Sequence, residues 1–292
     1  MIARSSILAA AIGAAGLLHA AVPGLPVDQG LVFSSGVETV RVDVSVRQNG
    51  EAVRGLAADD FEVLDNGVPQ TVDMVGFEDV PVNVVLTLDM SGSVQGARLA
   101  QLQQGGARLV EALEPRDRAA LVTFTDLVQV RSGLTADTDR LTAALRHPTQ
   151  GADTSLIDAT HAAMVLGESE TGRPLVIVFS DGADTASFLS TALALNTARR
   201  TGSVVYAVTS PQAERSEFLD QLVRATGGRR LSIASLDRLS DAFTEIIEES
   251  RQRYLISYRP TGVASDGWHE LAVRVRGRRA EVRARPGYLA GP

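Results

Sequence analysis

The chain has 292 residues, 45% of them hydrophobic and 22% charged, a globular composition long enough for two compact domains or for one domain inserted into another. Its formal net charge of −7 argues against nucleic acid or an anionic membrane surface as the main partner, because both require a basic footprint. The absence of cysteine removes disulfides, thiolate metal sites and cysteine nucleophiles together, and suits an exported protein that relies on its core for stability.

Arg4 gives the N-terminus a short positive region, residues 7–18 are apolar or small throughout, and Ala20, Ala21 and the turn formers Pro23 and Gly24 follow. This pattern reads as a signal peptide over residues 1–21, which makes the mature chain secreted or periplasmic. The apolar run is about a dozen residues, short of the ~20 that span a bilayer, so no membrane span is expected in the mature chain; an uncleaved anchor or a buried helix is the weaker alternative.

Residues 40–46 alternate apolar and polar side chains, as a half-buried strand does. Residues 61–65 lead into Asn66-Gly67 and residues 68–75 lead away from it. Asn-Gly between two such runs predicts a hairpin, because a type I′ turn takes positive φ at both central residues. Residues 36–80 are therefore expected to be β-rich.

The pattern changes after Pro81. Residues 82–88 are nearly continuously apolar, the mark of a strand buried on both faces of a parallel sheet. Helical spacing over 99–113 stops before Pro115; 119–124 predicts a second buried strand, 139–145 and 157–166 helices, and 175–179 a third buried strand. A helix over 191–200, a strand over 204–208, a helix over 216–225 and a final helix over 236–249, with Ser235 placed to cap it, complete the series. Strands alternating with helices imply a doubly wound, mostly parallel α/β domain over residues 81–250.

After Arg251 the β pattern returns, with strands predicted over 254–258, 268–275 and 280–285. The segments 36–80 and 251–290 each hold too few strands for a core of their own. They are expected to pair into one small β-sandwich with the α/β domain inserted between its halves.

The first buried strand ends in Asp89-Met90-Ser91-Gly92-Ser93 and the third in Phe179-Ser180-Asp181-Gly182, while Asp153-Thr154-Ser155 directly precedes the helix over 157–166. In a parallel α/β sheet, ligands bind beyond the carboxyl ends of the strands, so all three segments fall at the functional edge. A D-x-S-x-S run, then a loop Thr, then an Asp after a later apolar strand resembles the metal-ion-dependent adhesion site (MIDAS) of von Willebrand factor type A (VWA) domains. The resemblance covers residues 81–250 and implies that Asp89, Ser91, Ser93, Thr154 and Asp181 bind a metal. The flanks, with Leu56-Ala57-Ala58-Asp59-Asp60-Phe61 and Arg285-Pro286-Gly287-Tyr288, resemble those of bacterial exported VWA-related proteins.

All-oxygen ligands suit hard cations, with Mg²⁺ fitting best and Mn²⁺ or Ca²⁺ also compatible. Ser91, Ser93 and Thr154 are neutral hydroxyls, and the resemblance implies that one or both of the two carboxylates act through water, so a bound ion is expected to keep positive character and an open position for an Asp or Glu of a protein partner. The resemblance thus implies a protein-binding or adhesion module rather than an enzyme.

Competing readings of single residues stay beside this one. Asp89 and Ser91 are also favoured helix N-caps. Asp126 either lines the same edge or is a solvated turn residue, Asp184 is read as a turn residue before a ligand, and Met90 either projects from its loop or packs under it. Trp268 is assigned to the sandwich core, with surface recognition as the alternative. The basic run Arg276 to Arg279 reads as a solvated turn. A serine hydrolase lacks its G-x-S-x-G elbow, a phosphate loop is absent, and His19, His147, His161 and His269 fit no triad or metal spacing. A Mg²⁺-dependent hydrolase would need a general base, and none is evident. A third reading makes the α/β module a structural or assembly domain of an envelope complex.

Overall fold

The computed structural model describes residues 39–77, 80–92, 96–146, 151–168, 171–180, 183–210, 213 and 215–291. The expected signal peptide lies outside them. Val40, Val42, Val44 and Val46 bury one face of β1 (Val40–Gln48), which continues through a short hairpin into β2 (Glu51–Ala52). Next come β3 (Phe61–Asp65) and β4 (Val68–Gln70), joined by Asn66 and Gly67 at φ of 47° and 80°, the positive pair their turn requires, and then β5 (Val72–Gly76).

The α/β series then runs β6 (Val82–Asp89), α1 (Ala97–Glu111), β7 (Arg118–Phe124), β8 (Val128–Thr135), α2 (Thr138–Leu145), α3 (Leu156–Gly167), β9 (Arg173–Phe179), α4 (Thr191–Arg200), β10 (Val204–Thr209), α5 (Glu217–Thr226), β11 (Arg230–Ser232) and α6 (Leu239–Arg251). Its sheet has the order β11-β10-β9-β6-β7-β8, parallel except for the antiparallel edge strand β8. Alternate strand residues face opposite layers. Val84, Leu86 and Leu88 pack under α1, α2 and α6, whereas Val85, Val122 and Val178 pack under α3, α4 and α5. That two-sided burial is the reason the strands read as continuous apolar runs.

Two strands of this sheet escape a periodicity reading. β8 is half-exposed and carries Gln129, Arg131 and Ser132 among its apolar residues, and β11 is only 3 residues long. The final helix also differs from expectation. A 3₁₀ turn (Leu236–Arg238) precedes α6, and the side chain of Ser235 makes no cap hydrogen bond.

The chain closes with β12 (Arg253–Tyr258), β13 (Gly267–Val275), β14 (Glu281–Arg283) and β15 (Gly287–Ala290). Strands from both ends of the chain interleave in two antiparallel sheets, one ordered β14-β1-β12-β5 with β2 added to β1, the other β15-β13-β3-β4. Val42, Val44, Phe61, Val63, Tyr254, Ile256 and Leu271 share one core between them. Trp268 is not part of it. The indole is 45% exposed, with the Arg199 guanidinium 5.3 Å above its ring. The aromatic filling comes instead from Tyr254, against which Phe61 and Phe77 pack at 5.3 and 4.4 Å. His269 is buried against the Tyr288 ring, its Nδ1 2.7 Å from Asp65, whose carboxylate also accepts the hydroxyls of Tyr258 and Tyr288 at 2.8 and 2.9 Å.

An ionic cluster joins these strands to the α/β layers. Asp43 of β1 lies between two buried guanidiniums, Arg173 at the start of β9 (3.0 Å) and Arg253 at the start of β12. Arg173 also donates to the carbonyls of Ser250 and, at 2.9 Å, of Arg253, while Arg253 reaches the Gly227 carbonyl at 3.1 Å. Glu249 of α6 extends the cluster, accepting from Tyr206 and Arg229 at 2.8 Å each and pairing with Arg283 of β14. Burial works to lower the Arg253 pKa, but Asp43 and Tyr206 outweigh it and hold the guanidinium above its ordinary range. Burial pushes the Tyr206 phenol up to about 12 against the opposing charge of Arg253.

Removing one member of a buried ion pair strands the remaining charge. Asp43→Ala is therefore expected to lower unfolding free energy by about 3–5 kcal/mol in urea titrations. Arg108→Ala, which breaks an exposed 2.8 Å pair with Glu111, is expected to cost under about 1 kcal/mol.

Candidate metal centre

β6 and β9 are adjacent and parallel, so Asp89 and Ser180 emerge side by side at the carboxyl edge of the sheet. The Asp89 carboxylate is fully buried. Its Oδ1 accepts from the Ser91 backbone N–H at 2.9 Å and its Oδ2 from the Ser180 hydroxyl at 2.6 Å. These two hydrogen bonds fix the orientation of the Asp89 side chain. Ser180 lies within a motif the sequence singles out, yet its role depends on the neighbouring strand.

The segment carrying Thr154 reaches the same place by a separate route. Gly151 bridges Ser91 as an isolated parallel pair, and the Gly92 N–H donates to the Gly151 carbonyl at 3.0 Å. Only glycine fits there, since a Cβ at 151 would stand 2.4 Å from Asp126 Oδ1 and 2.5 Å from the Thr125 side chain. The approach brings Thr154 Oγ1 to 2.9 Å from Ser91 Oγ. Asp89, Ser91 and Thr154 thus converge. Ser93 and Asp181 lie outside the described residues, as does His147.

Two neighbouring loops hold the Thr154 segment. On one side, the Ser155 N–H and hydroxyl donate to the carbonyls of Thr125 (2.7 Å) and Asp126 (2.9 Å). On the other, the Thr154 N–H donates to Thr185 Oγ1 at 2.9 Å, and its carbonyl accepts from the N–H groups of Thr185 and Ala186. Asp184 accepts from the Ile157 N–H at 3.0 Å, so it caps α3 from 27 residues away. No local sequence pattern reveals a cap supplied from that distance. Asp126 is an exposed turn residue that accepts the Thr125 hydroxyl at 2.9 Å. Met90 packs under the loop, 4% exposed, within the core beneath α1.

Arg98, on the first turn of α1, is a charged neighbour that motif reading does not reach. Burial lowers its pKa, and the Asp89 carboxylate opposes that shift. Among the described residues no group of three or more His, Asp or Glu is placed to hold a metal. A cation here would rest on one described carboxylate and two hydroxyls, which is a hard, weakly charged donor set. His161 lies on α3, its Nδ1 2.9 Å from the Thr197 hydroxyl of α4, away from these donors.

A family model described as von Willebrand factor type A domain matches residues 84–183. No curated protein sequence matches the chain. Among solved structures, the von Willebrand factor type A protein from Catenulispora acidiphila is similar with a TM-score of 0.56 and 14% identity, over 84% of this chain and 74% of that one. Proximal thread matrix protein 1 from the mussel byssus, in a form with a zinc-occupied MIDAS motif, is similar with a TM-score of 0.54 and 16% identity, over 64% of this chain and 49% of that one. The chain thus spans about half the length of the mussel protein. At these identities the likeness establishes the fold.

The geometry of the loops sets two expectations for stability. Gly151→Ala is expected to destabilise by about 1–3 kcal/mol through overpacking against Thr125 and Asp126. Asp184→Ala is expected to cost about 1 kcal/mol through loss of the α3 cap. Chemical denaturation of the purified variants measures both.

Proposed function

This chain carries a von Willebrand factor type A domain over residues 84–183, and from that premise we propose that it is a metal-dependent protein-binding module of an exported protein. Asp89, Ser91 and Thr154, completed by Ser93 and Asp181, are its metal ligands. The supporting observation is the 2.9 Å separation of Ser91 Oγ and Thr154 Oγ1 above a buried, doubly hydrogen-bonded Asp89. The Thr154 hydroxyl donates to Ser91 Oγ, so the two hydroxyls that would face a cation already stand together. Mg²⁺, which takes octahedral oxygen coordination and keeps exchangeable waters, is the preferred ion, with Mn²⁺ and Ca²⁺ as alternatives. When bound, the ion supplies an electrophilic position that an Asp or Glu carboxylate of a partner fills. Asp89 and Asp181 supply the negative charge of the site, Ser180 holds Asp89, and the three hydroxyls add none, so the ion keeps positive character where a carboxylate acts through water.

Signal peptide 1–21 directs the chain to the periplasm or beyond. No helix among the described residues is long and apolar enough to cross a membrane. The segments 36–80 and 251–290 form the two halves of one β-sandwich, with the VWA domain, residues 81–250, inserted between them. No enzymatic role is assigned.

A purely structural role for the ion is the weaker reading. The loops around Thr154 are already fixed by protein hydrogen bonds from Thr185, Asp184, Thr125 and Asp126. They need no cation to hold them, which favours a role in recognition.

Isothermal titration calorimetry with Mg²⁺ and Mn²⁺ is the direct test. Saturable binding is expected in the wild type and none in Asp89→Ala. Ser180→Ala is expected to weaken it by roughly 10–100-fold, the effect typical of a group that orients a ligand. Pull-downs from envelope and extracellular fractions should retain partners in Mg²⁺ and lose them in chelator, with circular dichroism unchanged. Binding unaffected by Asp89→Ala would end the proposal, and unfolding on chelation would favour the structural role.

A further inference from the structure

Phe188 is 91% exposed, while Leu189, the next residue, packs against the core under α3, α4 and α5. The loop therefore has the means to bury an apolar side chain and directs one outward. Its backbone is held firmly at that point. The N–H groups of Phe188 and Leu189 donate to the two oxygens of Asp158 at 3.0 and 2.9 Å. Ser187 donates to Asp184 at 2.5 Å and accepts from the Asp158 N–H at 3.1 Å. This is the loop whose Thr185 and Asp184 clamp Thr154 and cap α3, so Phe188 is fixed relative to the candidate ligands.

The opposite clamp has a similar feature. Leu127, 60% exposed, sits on the turn whose Thr125 and Asp126 carbonyls hold Ser155. Leu193, on the first turn of α4, is also exposed at this edge. Scattered exposed apolar residues are ordinary. Here, however, two large ones stand on the two loops that hydrogen-bond the Thr154-Ser155 segment, beside which a partner carboxylate is expected.

We propose that Phe188, with Leu127, forms the apolar contact that selects the partner, so the preferred ligand is a protein segment whose acidic residue is flanked by apolar side chains. This rests on the metal-dependent reading above and extends it to ligand class. The charge complement is the partner carboxylate against the site's cation; the apolar complement is its flanks against Phe188 and Leu127. An aromatic on a hydrogen-bonded backbone has only two side-chain torsions left to order on binding, a low entropy cost for an interface anchor.

The test uses labelled synthetic peptides of one length with a central Glu, flanked either by Leu and Phe or by Ser and Gly. They are titrated by fluorescence anisotropy against the wild type, Phe188→Ser and Asp89→Ala, in Mg²⁺ and in EDTA. The wild type is expected to prefer the apolar flanks by at least about tenfold, ~1.4 kcal/mol. Phe188→Ser is expected to lose that preference while keeping Mg²⁺-dependent binding of the Glu peptides and, since the ring is exposed, its thermal stability. Equal preference in wild type and Phe188→Ser, or no preference in the wild type, overturns the inference and leaves the metal-dependent reading standing. If the wild type binds Mg²⁺ by calorimetry but binds no acidic peptide, both the inference and the carboxylate-capture reading fall.

Discussion

Asp43, wedged between Arg173 and Arg253, is the interaction on which the rest of the architecture depends. Three charges are removed from water at this point, and the arrangement is tolerable only because each guanidinium also reaches backbone carbonyls and because Tyr206 and Glu249 extend the hydrogen bonding. The members come from β1, β9, β12, β10 and α6, so the cluster forms only when both ends of the chain have met the α/β layers. In such a cluster a single misplaced partner leaves an unpaired buried charge, so arrangements that separate these residues are penalised.

That anchorage has a direction. Arg173 pairs with Val82 at the amino ends of β9 and β6, whereas Asp89 and Ser180 stand at the carboxyl ends of the same strands. The sheet is tied at one edge and presents its ligand-facing loops at the other. The loops are in turn organised by hydrogen bonds between segments distant in sequence. Gly151 permits the approach to Asp126, Thr185 and Asp184 hold the Thr154 segment and the start of α3, and Asp158 holds Phe188. Rigid presentation of a weakly charged oxygen site and of outward apolar side chains suits recognition by contact, where preorganisation preserves affinity.

Much of this was legible in the residues because the physical cause was local. Both-face burial makes β6, β7, β9 and β10 continuous apolar runs, Asn66-Gly67 marks its hairpin through its φ requirement, and the D-x-S-x-S run declares its donors by type. The misses have equally physical causes. β8 is an edge strand with one face wet, which blurs its alternation, and β11 is too short to show any period. Hydrophobicity favours an inward Trp268, but the core between the two antiparallel sheets is filled by Tyr254, Phe61 and Phe77, and the indole lies outside under Arg199, the surface alternative. The capping role of Asp184 has no local signal because the helix it caps begins 27 positions earlier.

By itself, then, the sequence determined the alternation of buried strands and helices, the hairpin, and the identity of the oxygen donors, because periodicity, backbone preference and side-chain chemistry are properties of neighbouring residues. Tertiary structure alone decided that Ser180 orients Asp89, that Thr154 comes within 2.9 Å of Ser91, that Asp43 joins two arginines 80 positions apart, and that Phe188 faces out where Leu189 faces in. Each of those depends on which strands lie side by side and which loops meet at the sheet edge. Such juxtapositions follow from the packing of the whole chain, and no local pattern encodes them.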